Sequence, residues 1–164
     1  MGLLHIYDAD DWRIRSTANR SDSSCRVGVT SGDLAASLDP LLSLGRIYDR
    51  ILFETHGSPG TIYFGDNSFD ADWFRSVIPR GYSRLAIRNA RVYFNGCNVA
   101  DGKEGWRFLE AAAALFLTPG GGQVFGQTSI GFSNLFNGHV VHLWGRTRTL
   151  FVDANGRILE RFAQ

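Results

Sequence analysis

Ile51-Leu52-Phe53-Glu54-Thr55-His56-Gly57 and Val92-Tyr93-Phe94-Asn95-Gly96-Cys97-Asn98 are two apolar runs that each read as a buried strand followed by one chemically active side chain. Open α/β sheets bind their ligands at the carboxyl edge of parallel strands, where those side chains fall. An imidazole and a thiol delivered side by side are the minimal base and nucleophile of a cysteine hydrolase. His56 comes first in the chain and Cys97 second, with a crossover of suitable length between them. Alone, a strand-end cysteine is more often a small buried hydrophobe, and a lone histidine a polar surface residue. Their placement at successive strand ends, each with a glycine beside it, tips the reading toward chemistry.

The flanking sequence extends the alternation of strand and helix. Residues 3–7 are a short apolar strand closed by the acidic turn Asp8-Ala9-Asp10-Asp11. The polar, Ser-rich stretch 16–25 predicts an exposed loop, and residues 26–30 a brief strand. Ser31 is a good N-cap, with Asp33 in the first turn, for a helix carrying Leu34, Leu38, Leu41 and Leu42, which Pro40 breaks or kinks. Residues 61–64 follow the Ser58-Pro59-Gly60 turn as a small strand. Asp70 or Asp72 starts a helix bearing Trp73, Phe74 and Val77 that ends near Pro79.

The clearest helix covers residues 104–117, with Trp106, Leu109, Ala113 and Phe116 along one stripe. Pro119-Gly120-Gly121-Gly122 ends it, and residues 123–126 form a further parallel strand. Ala154-Asn155-Gly156, between runs 150–153 and 157–162, is a hairpin signal. The whole predicts one α/β domain over residues 1–164: a sandwich with a mostly parallel sheet, flanking helices and a C-terminal antiparallel hairpin.

Composition narrows the function. The 164 residues are 44% hydrophobic and 20% charged, which fits a folded domain and not a disordered chain. A formal net charge of +1 gives no reason to expect nucleic acid or a membrane surface. No apolar run approaches the roughly 20 residues that span a bilayer, so no membrane insertion is expected. The N-terminus lacks a basic n-region and reads as a strand, not a cleaved signal peptide. Gly2 lacks the Ser or Thr at position 6 of a myristoylation motif. Two cysteines, Cys25 and Cys97, favour free thiols over a disulfide framework; Cys25, in the Ser-rich stretch, looks incidental. His139 and His142 are three apart, but Val140, Val141 and Leu143 around them favour a strand, and zinc needs more ligands than any local cluster supplies. No metal or cofactor is expected.

Glu54-Thr55-His56-Gly57-Ser58-Pro59-Gly60, followed by Tyr63-Phe64-Gly65, resembles the histidine block of the caspase-like superfamily of cysteine peptidases. Phe94-Asn95-Gly96-Cys97-Asn98-Val99-Ala100, followed by Gly102 and the helix through Ala111, resembles its cysteine block, and residues 122–129 resemble the strand that comes next. The bacterial caspase-like domains of large surface or secreted proteins carry a similar pair of motifs. The resemblance covers roughly residues 50–130 and implies a caspase-like three-layer sandwich that cleaves peptide bonds with His56 and Cys97. The C-terminal hairpin has no counterpart in it.

On this reading Cys97 is the nucleophile, His56 the base and then the acid to the leaving amine, and the Gly57 and Cys97 amides form an oxyanion hole. Such a thiol does not require a third orienting group, and Glu54 is expected to be a solvent-facing strand residue. Asp8, Asp10 and Asp11 lie in a loop expected beside those of His56 and Cys97, with Asn95 nearby. A carboxylate pocket there would favour cleavage after arginine or lysine, against the plainer reading that the aspartates solvate a turn and cap the chain after it.

The expected partner is a polypeptide substrate. A domain without a targeting signal suits a cytoplasmic protease, or a bacterial effector or toxin exported without a cleaved leader. Two alternatives stand beside the peptidase: a non-catalytic interaction domain on the same fold, and a cysteine hydrolase or transferase acting on a non-peptide acyl bond.

Overall fold

A computed structural model describes residues 2–30, 33–134, 139–142 and 145–164, with residues 132–134 and 139–142 as backbone. Seven strands pair into one central sheet. In spatial order they are Cys25–Val29 (β2), Leu3–Asp8 (β1), Tyr48–Glu54 (β3), Ala86–Phe94 (β7), Gly122–Gln127 (β8), Thr147–Val152 (β11) and Ile158–Ala163 (β12). The first five run parallel, and β11 and β12 add antiparallel at one edge, as the hairpin signal requires. Gly156 supplies the left-handed turn residue at φ 78°.

Alternation across the pleat sends Leu4, Ile6, Ile51, Phe53, Val92, Phe94, Val124 and Leu150 to one face, all buried. That face is covered by α2 (Leu34–Ser43), α3 (Ala71–Ser76) and α4 (Gly102–Phe116), whose buried side chains join the same core. Its centre is aromatic. Phe53 stacks on Phe94 at 4.7 Å, and Phe74 meets Phe108 edge-on at 5.0 Å. Each such ring contributes about 1.5–3 kcal/mol on burial, so this cluster fixes the strands that carry the site. Phe74 and Phe116 are buried as the helical stripes predict, with Trp73 and Trp106 at the margin of the core.

The opposite face carries α1 (Trp12–Arg20), where the sequence favoured a loop. Asp11 decides the matter: its Oδ1 accepts from the amides of Arg13 and Ile14 at 2.7 and 3.3 Å, an N-cap. Ile14, Thr17 and Ala18 then recur at helical spacing and are buried, which outweighs the polar composition of the other face. In α2 the cap is Asp33, whose carboxylate accepts from Ala36 N at 2.9 Å, and the helix runs on through Pro40. Ser31 lies outside the described residues.

Two other side chains differ from expectation. Glu54 is buried, with Oε2 2.7 Å from His5 Nε2 in an ion-pair contact poorly aligned for a hydrogen bond; His5 Nδ1 meets Ser21 Oγ at 2.8 Å. The pair lies between β1 and β3 on the α1 side, where the helix covers what would otherwise be solvent-facing positions. Cys25 is a half-buried residue of β2 and packs against the core.

A smaller three-stranded sheet, His56–Ser58 (β4), Thr61–Phe64 (β5) and Asn67–Asp70 (β6), follows β3. Gly131–Asn134 (β9) and His139–His142 (β10) pair as an antiparallel hairpin. The side chains of His139 and His142 lie outside the described residues. No helix among the described residues is long and apolar enough to cross a membrane.

Candidate active site

The chain leaves β1 through α1 on one face to reach β2, and returns through α2 on the other face to β3. Connections that diverge to opposite faces open a crevice between β1 and β3 at their carboxyl ends. The loop after β1 carries Asp11 and the loop after β3 carries His56. Across the crevice, His56 Nε2 and Asp11 Oδ2 lie 2.9 Å apart. With Oδ1 capping α1, both oxygens of this carboxylate are fixed. Burial pushes the Asp11 carboxyl up, but the His56 hydrogen bond, the Arg13 and Ile14 amides and the histidine's charge together hold it below the ordinary value of 3.8.

His56 stands one residue beyond β3, as the first residue of β4 opposite Tyr63. Thr55 between them is buried, and its hydroxyl donates to the Tyr63 carbonyl, which bends the chain out of the main sheet. The imidazole is 58% exposed while Asp11 is 23% exposed, so the ring is held from behind and open in front. Among the described residues, Nδ1 of His56 has no hydrogen-bond partner.

β7 ends at Phe94, and the Asn95 amide donates to the Phe53 carbonyl at 2.9 Å, carrying the β3–β7 ladder one step further. Gly96 and Cys97 then turn across the front of β4. The two loops touch backbone to backbone. A Cβ at Gly57 would lie 2.7 Å from the Cys97 carbonyl oxygen and 3.1 Å from its nitrogen, and one at Gly96 would lie 3.1 Å from the His56 carbonyl oxygen. Only glycines admit this approach, which accounts for a Gly beside each chemical residue.

The cysteine loop is pinned on both sides. Gly60 N donates to Val99 O at 3.0 Å, Asn98 N to Ser129 O at 2.9 Å and Ala100 N to Gln127 O at 2.9 Å. Asn98 takes up the turn in the left-handed region at φ 54°. Cys97 is a half-buried free thiol. The Gly131 N–H donates to its Sγ with an N···S distance of 3.3 Å. The Gly131 carbonyl lies 3.8 Å from the same atom.

His56, Gly57, Asn95 and Cys97 are therefore gathered at one end of the sheet, and Asp11 joins them through its contact with the His56 imidazole. Asp8 is not available to a substrate. It is buried, with Oδ1 accepting from Asp10 N at 3.0 Å and Oδ2 from Gly65 N at 3.2 Å, so it ties the β1 turn to the β5–β6 turn. The signal for Asp11 was present in the sequence, since Asp before Trp12-Arg13-Ile14 is an N-cap pattern and its loop adjoins that of His56. Among the described residues no group of three or more His, Cys, Asp or Glu is placed to hold a metal. Comparison with family models, curated proteins and solved structures finds no match to this chain.

Proposed function

We propose that this chain is a cysteine hydrolase of the caspase-like type, cleaving peptide bonds with Cys97 as nucleophile, His56 as base and Asp11 as the residue that orients His56. One observation carries the reading: three loops converge so that His56 is tethered through Nε2 to Asp11 at 2.9 Å while its backbone lies in contact with that of Gly96 and Cys97. A tether on one ring nitrogen fixes the tautomer and leaves the other nitrogen to exchange a proton. The location at the topological switch of a mostly parallel sheet, with His56 and Cys97 after neighbouring strands, supports the same reading.

In the acylation step His56 Nδ1 takes the Cys97 thiol proton as Sγ attacks the carbonyl carbon. The negative charge that develops on the carbonyl oxygen is met by the Gly57 and Cys97 amides. Collapse breaks the C–N bond, and the imidazolium returns its proton to the departing amine. Water then attacks the thioester with His56 as base, releasing the acid and restoring the thiol. Asp11 stabilises the imidazolium in both halves.

The experiment is labelling of Cys97 by a peptide-based electrophile, read by mass spectrometry, alongside peptide turnover. Wild type should label at Cys97 ahead of Cys25, His56→Ala should lose most of that advantage, and Cys97→Ala should fold but not turn over, since removing such a nucleophile costs several orders of magnitude in rate. Turnover retained in Cys97→Ala would refute the mechanism.

A further inference from the structure

At the other end of the sheet from Cys97, the face that carries α1 presents Arg50 of β3 and Arg91 of β7 in direct register. Register neighbours have Cβ atoms about 5 Å apart on the same side of the pleat, and like charges placed so repel. Neither guanidinium is closely neutralised. Arg50 Nε is 3.9 Å from Asp49 Oδ2, and Arg91 has no ion pair among the described residues.

The backbone is irregular at the same place. Between consecutive paired positions β3 advances from Tyr48 to Arg50 while β7 advances from Ala86 to Arg91, so β7 bulges out. Within the bulge Asn89 takes the left-handed conformation at φ 58°. Bulges re-aim side chains, and left-handed non-glycine residues persist where the surroundings hold them. This one opens a recess of about 380 Å³ lined by Asp49, Arg50, Asn89 and Arg91. Asp49 Oδ1 is buried and lacks a hydrogen-bond donor.

We propose that the recess is a binding site for hydrogen phosphate. Two arginines offer forked donors that match the oxygens of a tetrahedral anion, and the anion removes their mutual repulsion. Asp49 Oδ1 requires a donor, which the P–OH group supplies. Sulfate has the same shape and charge but carries no proton at neutral pH, so its oxygens would face a carboxylate oxygen with nothing between them. The site is thereby selective for phosphate over sulfate, and it stands independently of the chemistry at Cys97.

Isothermal titration of the full chain at neutral pH and constant ionic strength, with inorganic phosphate and with sulfate, tests this. Phosphate should bind at least tenfold more tightly than sulfate, and Arg91→Gln should weaken phosphate at least tenfold. Asp49→Asn should abolish the preference, because the amide can donate to either ion. Thermal unfolding in anion-free, low-salt buffer checks that the variants fold, and there Arg91→Gln should raise the midpoint by relieving the repulsion. Equal affinity for the two ions in wild type, phosphate binding unchanged in Arg91→Gln, or a lowered midpoint in that variant would each overturn the proposal.

Discussion

Asp11 does two things with its two oxygens, and substitutions can separate them. Oδ1 caps α1, and Oδ2 holds His56 at 2.9 Å. Asp11→Ala removes both functions. Loss of the cap costs about 1 kcal/mol, which lowers the midpoint of a domain of this size by about 2–4 °C. Asp11→Ser keeps a capping hydroxyl but is too short to reach the imidazole, so its midpoint should stay within about 1 °C of wild type on the same scale. A hydrogen bond to a charged partner contributes about 1.5–3 kcal/mol. Because the imidazole is 58% exposed, solvent screening reduces that, and about 1–2 kcal/mol is the appropriate range. At about 1.4 kcal/mol per tenfold, kcat/KM should fall roughly 5- to 30-fold in both variants. The assay is peptide hydrolysis, with alkylation of Cys97 as a second readout, beside thermal melts. Wild-type activity in Asp11→Ser would reduce Asp11 to a helix cap. A melting loss in Asp11→Ser as large as in Asp11→Ala would assign the activity loss to displacement of α1 and refute the separation.

The same carboxylate makes a pH prediction. Its folded value is lowered, so its contribution to stability is present above the ordinary 3.8 and is lost as pH falls through the folded value; wild type and Asp11→Asn should differ by a constant amount at neutral pH and converge only in acid. Tyr48 behaves oppositely: burial, then the neighbouring Cys25, raises its hydroxyl from 10.0 to about 12, so its contribution is complete below 10 and is lost as pH climbs toward 12. Tyr48→Phe should flatten the alkaline limb of the stability curve without loss at neutral pH, since that hydroxyl is buried with no hydrogen-bond partner; circular dichroism against pH reads this. Gly57→Ala places a methyl 2.7 Å from the Cys97 carbonyl, should cost about 1–3 kcal/mol in denaturant unfolding, and should reduce turnover at least as much as Asp11→Ser because it parts the two loops. Glu54→Ala leaves His5 buried without its partner and should cost about 3–5 kcal/mol, measured by the same unfolding.

The two quoted stretches were legible because each combined a strand's apolar run with a change of composition at its end. Phe53 and Phe94 lie in register with each other, and the glycines after them sit where the loops touch. The helix over α4 was equally clear, since its stripe is long and Leu109, Ala113 and Phe116 are all buried. What sequence concealed is of another kind. The α1 helix has a short apolar stripe set among serine, asparagine and arginine, so composition argued for a loop while the cap and three buried side chains settle it. Glu54 reads as a surface residue because only the tertiary arrangement supplies His5 from a different strand. Asp8 and Asp11 are three residues apart in one acidic turn, and nothing local says that one will be buried against two backbone amides and the other aimed at an imidazole.

That division of labour within the turn bears on what the site recognises. Three carboxylates in four residues suggest an electrostatic trap for a basic side chain, yet a trap needs carboxylates that are unengaged until the substrate arrives. Asp8 accepts from Asp10 N and Gly65 N, and Asp11 from Arg13 N, Ile14 N and His56. These are the contacts that close the turn, start α1 and set the imidazole, so drawing either carboxylate toward a substrate would undo the site that the substrate needs. Asp10, between them, is exposed, and the other exposed side chains near His56 and Cys97 are of a different nature. Trp12 follows Asp11 and Ile130 precedes Gly131, both more than half exposed, and the Arg13 guanidinium lies 5.5 Å from the Trp12 ring centre. Such a rim would favour apolar side chains on a substrate, with Asp10 as the carboxylate of this turn that a basic side chain would approach. Asp8 and Asp11 therefore serve the architecture of the proposed site, and selection among substrates would fall to the exposed rim around it.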